Sequence, residues 1–314
     1  MPAIIQSALH PAGPQAASIS NLWWLMFWTC TAVYVVVIGV LVVAISRRGR
    51  EPLGPTSERH LLRSVVGATA LTVVILFGLL FASVATGRAV ASLGSAEALV
   101  IEVTGNQWWW DVTYDNPNPS LRVRTANELH IPTGRQIRVQ LSSNDVIHSF
   151  WVPNLHGKMD LIPGRQTALW LQVDTPGIYR GQCAEYCGLQ HAHMALTVVA
   201  ESPGDFERWI VGQRQPAPDP SNSEQQRGRD IVERGPCAMC HAVSGTAAGG
   251  RTAPDLTHFA TRSTIAAGVA PNTPGYLAGW IADPQHLKPG SRMPATGLSG
   301  EDLQAVLAYL ETLR

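Results

Sequence analysis

A chain of 314 residues has room for two or three domains. Its 23 Lys and Arg balance 23 Asp and Glu, so the formal net charge is zero, which argues against nucleic acid as a partner. Composition excludes little else, and the distribution of residues along the chain says more.

Residues 22–45 and 64–87 are two runs of 24 residues without a charged side chain. At about 1.5 Å of rise per residue, a helix of that length covers a hydrocarbon core roughly 30 Å thick, with some tilt allowed. Two buried helices of a soluble core are the alternative, but two such runs so close together are rare in soluble proteins. Trp23, Trp24 and Trp28 cluster at one end of the first run, as interfacial aromatics do. The first run is longer than a signal-peptide core and no clear A-x-A site follows it, which favours an uncleaved helix. Cys30, inside it, reads as a small apolar residue.

The connector, residues 46–63, holds Arg47, Arg48, Arg50, Arg59 and Arg63, whereas only Arg88 flanks the outer ends of the two runs. The positive-inside rule places this connector in the cytoplasm. The N-terminal segment, 1–21, and everything beyond residue 88 then face the other side. In a bacterium the chain would cross the inner (cell) membrane twice, with both termini on the periplasmic side.

Short alternating runs at 100–104, 108–114, 136–141, 167–173 and 195–199 are separated by Pro, Gly, Asn and Asp clusters such as NPNPS. They predict a small β sandwich or barrel within residues 98–212. Residues 213–222, QRQPAPDPSN, read as a Pro-rich linker. Beyond it, residues 223–314 turn helical, with helices expected over 224–233 and 274–282. Ser299 is the expected cap of a final helix whose Leu303, Val306, Leu307 and Leu310 share one face.

The loop CAEYCGLQHAHM, residues 183–194, packs two cysteines, two histidines and a methionine into twelve residues. A disulfide would leave the His and Met unexplained. Zinc makes little use of a thioether, and a single blue-copper ion would leave one Cys surplus. His148, in NDVIHSFWVP, follows the strand ending near Leu141, and a sandwich can bring it beside this loop. Cys183, Cys187, His191, Met194 and His148, with one backbone carbonyl, then provide two bridging thiolates and one His plus one weak ligand per metal. That arithmetic fits a dinuclear copper site better than any single ion.

These spacings, GNQWWWDVTY at 105–114, HSFWVPNLHGKMDLIPGR at 148–165 and the preceding pair of apolar runs resemble subunit II of the cytochrome c oxidases. The resemblance implies a transmembrane α-hairpin followed by an all-β, cupredoxin-like Greek-key sandwich holding a mixed-valence copper pair (CuA). It implies that Glu185 ligates copper through its main-chain carbonyl, its side chain reaching a magnesium ion shared with subunit I. Trp108 matches the tryptophan at which electrons enter the copper centre, while Trp109 and Trp110 are expected to pack. His193 is not expected to be a ligand. The family places a carboxylate near the cytoplasmic start of the second helix at a proton entrance; Glu58 is nearest, but its surroundings depart from the pattern and a solvated role is expected.

CAMCH, residues 237–241, carries the spacing for covalent attachment of haem c through Cys237 and Cys240, with His241 as the first axial ligand. A redox disulfide is the alternative. Met239 sits between the cysteines and cannot reach the distal face. Met293 is the only methionine after the motif and the expected second ligand; His258 and His286 are alternatives, each expected to be exposed. The arrangement is similar to the all-α class I cytochromes c, and Pro254 matches the proline whose carbonyl orients the axial His.

A subunit II joined to a cytochrome c resembles the caa-type terminal oxidases. This resemblance implies that an external donor reduces the haem, the electron passes to copper, and oxygen is reduced to water in subunit I with proton pumping. Partners would be subunit I, subunit III, membrane lipid and the donor. A copper-containing nitric oxide reductase, and a copper-delivery or redox-sensing protein, stay open as alternatives.

Overall fold

The computed structural model describes residues 4–48, 58–91 and 98–314. They form two units, one spanning Ala17–Ser92 and the other joining Met1–Ala16 to Leu93–Arg314.

The first unit is helical. α1 (Pro14–Arg47) and α2 (Glu58–Ala91) each run for 34 residues, and no residue of their most apolar windows is buried. Length and apolar character suit a bilayer, in which lipid rather than protein covers such a surface. α1 begins well before its apolar run, because Pro14 suits a first helical turn and residues 15–21 contain no breaker. Of the connector, Arg47 ends α1 and Arg59 and Arg63 lie in α2, whereas Arg50 lies outside the described residues. Glu58 opens α2 and is exposed, which accords with a solvated side chain.

In the second unit two sheets face each other. One is ordered β4 (Val123–Ala126), β3 (Trp109–Tyr114), β2 (Leu99–Asn106), β6 (Ile137–Ser143), β9 (Thr167–Leu171). The other is ordered β5 (Glu128–Pro132), β11 (Ala195–Glu201), β10 (Gly177–Cys183), β7 (His148–Trp151), β8 (Met159–Leu161). A two-residue β1 (Ile4–Ile5) adds to β10 in parallel. Two further parallel pairings, β2 with β6 and β5 with β11, sit among antiparallel ones, because the chain crosses repeatedly between sheets. This is the cupredoxin-like sandwich implied above. Asn127 makes one such corner at φ 60°, a left-handed conformation that asparagine tolerates. Its side chain accepts from Trp110 N at 2.8 Å.

Along β2, β3 and β6 buried residues alternate with more exposed ones. Ile101, Val103, Val139, Leu141, Leu169 and Leu171 meet Leu129, Ile131, Leu196 and Val198 in one fully buried core. α3 (Pro203–Gly212) closes it, burying Phe206 and Ile210 and stacking Trp209 on His130 at 4.2 Å. A purely β reading of this region passes over α3, although Ser202 caps it and Pro203 opens it.

The C-terminal part packs α4 (Ser223–Arg234), α5 (Cys237–Cys240), α6 (Pro274–Ala282), α7 (Pro284–Leu287) and α8 (Gly300–Leu310) around Val232, Leu277, Val306, Leu307 and Leu310. Ser299 caps α8, its hydroxyl accepting from Asp302 N at 3.1 Å. Where α4 meets α8, a Cβ on Gly228 would lie 1.9 Å from the carbonyl oxygen of Ala305, so only glycine allows the approach. A hairpin, β12 (Thr264–Ile265) with β13 (Ala270–Pro271), projects beside them.

The stretch 213–222 is tied down at several points. Ala217 N donates to Ser244 O at 2.9 Å, Gln215 O faces His258 Nε2 at 3.1 Å, and Arg214 Nε donates to Leu121 O at 3.2 Å. The sandwich and the helical domain also touch directly, through Ala195 N to Ala267 O at 3.0 Å and Arg124 Nη2 to Arg251 O at 3.1 Å.

Candidate metal centres

β10 runs into the cysteine-rich loop and β11 runs out of it. Cys183 ends β10, and its N–H closes the neck of the loop on Met194 O at 2.9 Å. Within the loop Gly188 takes φ +110°, and a one-turn helix over His191–His193 follows. β7 lies antiparallel to β10, which sets Phe150 opposite Cys183 and brings His148 to the same end. His148 follows the strand ending near Leu141 only after a short turn. It opens a strand of four residues, too short to show an alternating pattern.

The donor atoms come together pairwise. Cys183 Sγ and Cys187 Sγ are 3.7 Å apart. Cys183 Sγ is 3.9 Å from His148 Nδ1 and 3.1 Å from Glu185 O, while Cys187 Sγ is 3.6 Å from His191 Nδ1 and 3.9 Å from Met194 Sδ. The sulfurs are free thiols, far beyond the ~2.05 Å of a disulfide. Cys183, Cys187, Met194 and His148 are buried. Two soft sulfurs flanked on each side by an imidazole or thioether fit a pair of copper ions, and the carbonyl of Glu185 is the oxygen aimed at them.

Hydrogen bonds set the chemistry of these donors. The His148 ring donates from Nε2 to Asp145 Oδ1 at 2.8 Å, which leaves Nδ1 as the free acceptor facing the sulfurs. Burial would raise Asp145, but hydrogen bonds from His148, Gln107 N and Val146 N outweigh it and hold the carboxyl below its usual value. Burial would likewise lower His148, but Cys183 and Asp145 outweigh it and raise the imidazole. Asp145, three residues before His148, and Gln107 escaped the sequence reading, since neither is a metal ligand. Gln107 Nε2 and Trp108 Nε1 both donate to Cys187 O, at 2.8 and 3.0 Å.

Trp108 thus sits half-buried against the copper loop, whereas Trp110 is fully buried and packs edge-on against Phe150 at 6.0 Å. The Nδ1 of His193 is engaged by Gln190 Oε1 at 2.7 Å. The side chain of Glu185 is half-buried and accepts from Tyr186 N at 3.2 Å.

In the helical domain, Cys237 and Cys240 begin and end α5 and His241 follows. His241 donates from Nδ1 to Pro254 O at 2.7 Å, which leaves Nε2 free for a metal. Burial lowers this imidazole and so keeps it neutral, the form that ligates. Two thiols beside an oriented imidazole fit covalent haem. Met293 lies half-buried before α8, its carbonyl accepting from Gln285 Nε2 at 3.1 Å. His286 is exposed, as expected. His258 is not: it is buried, with Nδ1 on Arg314 O at 2.8 Å and Nε2 on Gln215 O at 3.1 Å, so both nitrogens are committed to structure.

The family model for the periplasmic domain of cytochrome c oxidase subunit II matches residues 116–201, and that for cytochrome c matches 225–314. Cytochrome c oxidase subunit 2 of Alkalihalophilus pseudofirmus is 34% identical, over 98% of this chain and 91% of that protein. The Bacillus subtilis protein of the same name is 31% identical over 69% of this chain and 63% of its own length, a little under two thirds. The crystal structure of the periplasmic domain of cytochrome oxidase subunit II from Bradyrhizobium japonicum aligns with 39% of this chain and 96% of that one, at 30% identity and a TM-score of 0.36. Matched at this identity over nearly the full length of a relative, the chain belongs to the cytochrome c oxidase subunit II family, in the form that carries a C-terminal cytochrome c domain.

Proposed function

We propose that this subunit takes electrons at its cytochrome domain and passes them by way of a copper pair to a haem in oxidase subunit I, where oxygen is reduced to water with proton pumping. It is the subunit through which electrons enter a respiratory haem–copper oxidase. The observation that carries this reading is the pairwise approach of Cys183, Cys187, His148, His191 and Met194 at 3.6–3.9 Å.

When bound, haem c and dinuclear copper supply the one-electron carriers. The protein's part is to hold and orient them. Residues 98–212 would hold copper through His148, Cys183, Glu185 O, Cys187, His191 and Met194. Asp145 fixes the ring of His148. Residues 223–314 would hold haem c through Cys237, Cys240, His241 and Met293, with Pro254 orienting His241. Trp108, bonded to the carbonyl of Cys187, stands where an electron would reach the copper loop. The side chain of Glu185 would reach a magnesium ion shared with subunit I.

The chain is anchored by apolar helices with its copper domain in the periplasm. We place it in the bacterial inner membrane, crossing twice, with both termini outside and residues 46–63 in the cytoplasm. Subunit III and an external cytochrome or membrane complex complete the set of partners.

The test is purification of the full chain with whatever copurifies. Two coppers and one haem c per chain, a large polytopic partner and cyanide-sensitive oxygen uptake are expected. Zinc in place of copper sinks the reading. Nitric oxide consumption without oxygen uptake would assign the complex to the reductases instead.

A further inference from the structure

The two metal-holding domains meet at the loop that leads to Met293. Lys288, five residues earlier in the sequence, is only 3% exposed. Its Nζ donates to three backbone carbonyls: Trp108 O at 2.7 Å, His193 O at 2.7 Å and Ala266 O at 2.8 Å. The first two belong to the copper domain and the third to the turn between β12 and β13. An ammonium has three N–H groups, and each has an acceptor here; a neutral amine would leave one carbonyl without a donor. Burial pulls Lys288 down to about 7, opposed in part by the charge interaction with Cys187.

Neighbouring contacts point the same way. Gln190 Nε2 donates to Pro289 O at 2.8 Å. A Cβ built on Gly290 would lie 3.0 Å from Leu189 Cδ2 and 3.7 Å from Trp108 Cη2, so this loop passes in van der Waals contact with the copper loop. On the other side of Lys288, Ala266 and Ala267 take φ 54° and 61°, which a Cβ disfavours. Both carbonyls of that strained turn are used across the contact, Ala266 O by Lys288 and Ala267 O by Ala195 N at 3.0 Å. Strained backbone persists where its surroundings hold it.

We infer that Lys288 is a positioning residue that clamps the methionine-bearing loop of the cytochrome domain onto the copper domain at Trp108 and His193, and so sets the separation of the two metal centres. It carries no electron and exchanges no proton in this role. The inference rests on the assignment of both metal sites above, but the clamp itself consists of contacts between protein groups.

The test compares wild-type complex with Lys288→Met by amide hydrogen exchange and by flash-initiated electron transfer from haem to copper. Both metal signals should persist in the variant. Protection of the segment around Ala195 should fall by about tenfold or more while α4 and α8 keep theirs. Internal transfer should slow by about tenfold or more, and Lys288→Arg should recover part of both losses. Should the Met variant fail to accumulate, Lys288→Gln, which keeps two donors, is read in the same way. Unchanged exchange near Ala195, or unchanged transfer, overturns the clamp. So does a rise in exchange spread equally over α4 and α8, since Lys288 would then only stabilise its own domain. A wild-type complex lacking the copper-pair signal overturns the metal assignment instead, and the exchange comparison still decides the clamp.

Discussion

Two sulfurs 3.7 Å apart hold one proton between them readily and two negative charges badly. The hydrogen bond between the two thiols pulls Cys183 down and pushes Cys187 up. A cation beside both removes the conflict, which is why this pair suits a bridged metal site. Cys187→Ser should therefore abolish the delocalised copper signal in electron paramagnetic resonance and leave the haem spectrum intact. Met293→Ala should do the reverse, raising the high-spin haem fraction with copper unchanged. Equal damage to both centres by either variant would contradict the division into two metal domains. A different residue contributes to acid stability. Burial holds His156 below the usual imidazole value, so the folded state resists its protonation. The unfolded chain takes that proton first, near pH 6.5, so the contribution to stability is full above this pH and is lost as pH falls through the folded value. His156→Gln should reduce the drop in denaturation midpoint between pH 7.5 and 5.5; an identical drop in both proteins would count against this assignment.

At the scale of elements, legibility followed length and caps. α8 announced itself by Ser299 and a four-residue apolar face, and the two long helices by their uncharged runs. β7 and β8 did not, since strands of four and three residues carry no period to read. The chemistry of His148 marks it as a candidate ligand, while the short strand that positions it leaves no pattern. The crossing of α4 and α8 depends on one missing side chain. Gly228→Ala would drive a methyl into Ala305 O and should destabilise the cytochrome domain by about 3 kcal/mol, read as a lower thermal midpoint of the haem absorbance. A midpoint equal to wild type would show that the helices can separate at no cost.

For the whole molecule, metal and fold are linked. The proposed copper ligands come from β7 and from the β10–β11 loop, so copper held by them would stabilise only the folded sandwich. At a hundredfold excess over its dissociation constant it should add about 2.7 kcal/mol, and chelation should lower the first calorimetric transition while leaving the haem-domain transition in place. The stretch 213–222 reads as a Pro-rich linker from its composition, and bonds from Gln215, Ala217 and Arg214 fix it against the domains it joins.

The chemistry of the ligands, the membrane helices and the order of the domains were determined by local spacing and hydropathy, which any reader of the chain can follow. Thiols four apart, a CxxCH run and two uncharged stretches carry their meaning wherever they fold. The pairing of His148 with Cys183, the burial of His258 and the seating of Lys288 on Trp108 were decided only by tertiary structure. Each joins groups from separate strands, loops or domains, and a contact made by packing leaves no periodic trace in the sequence that makes it.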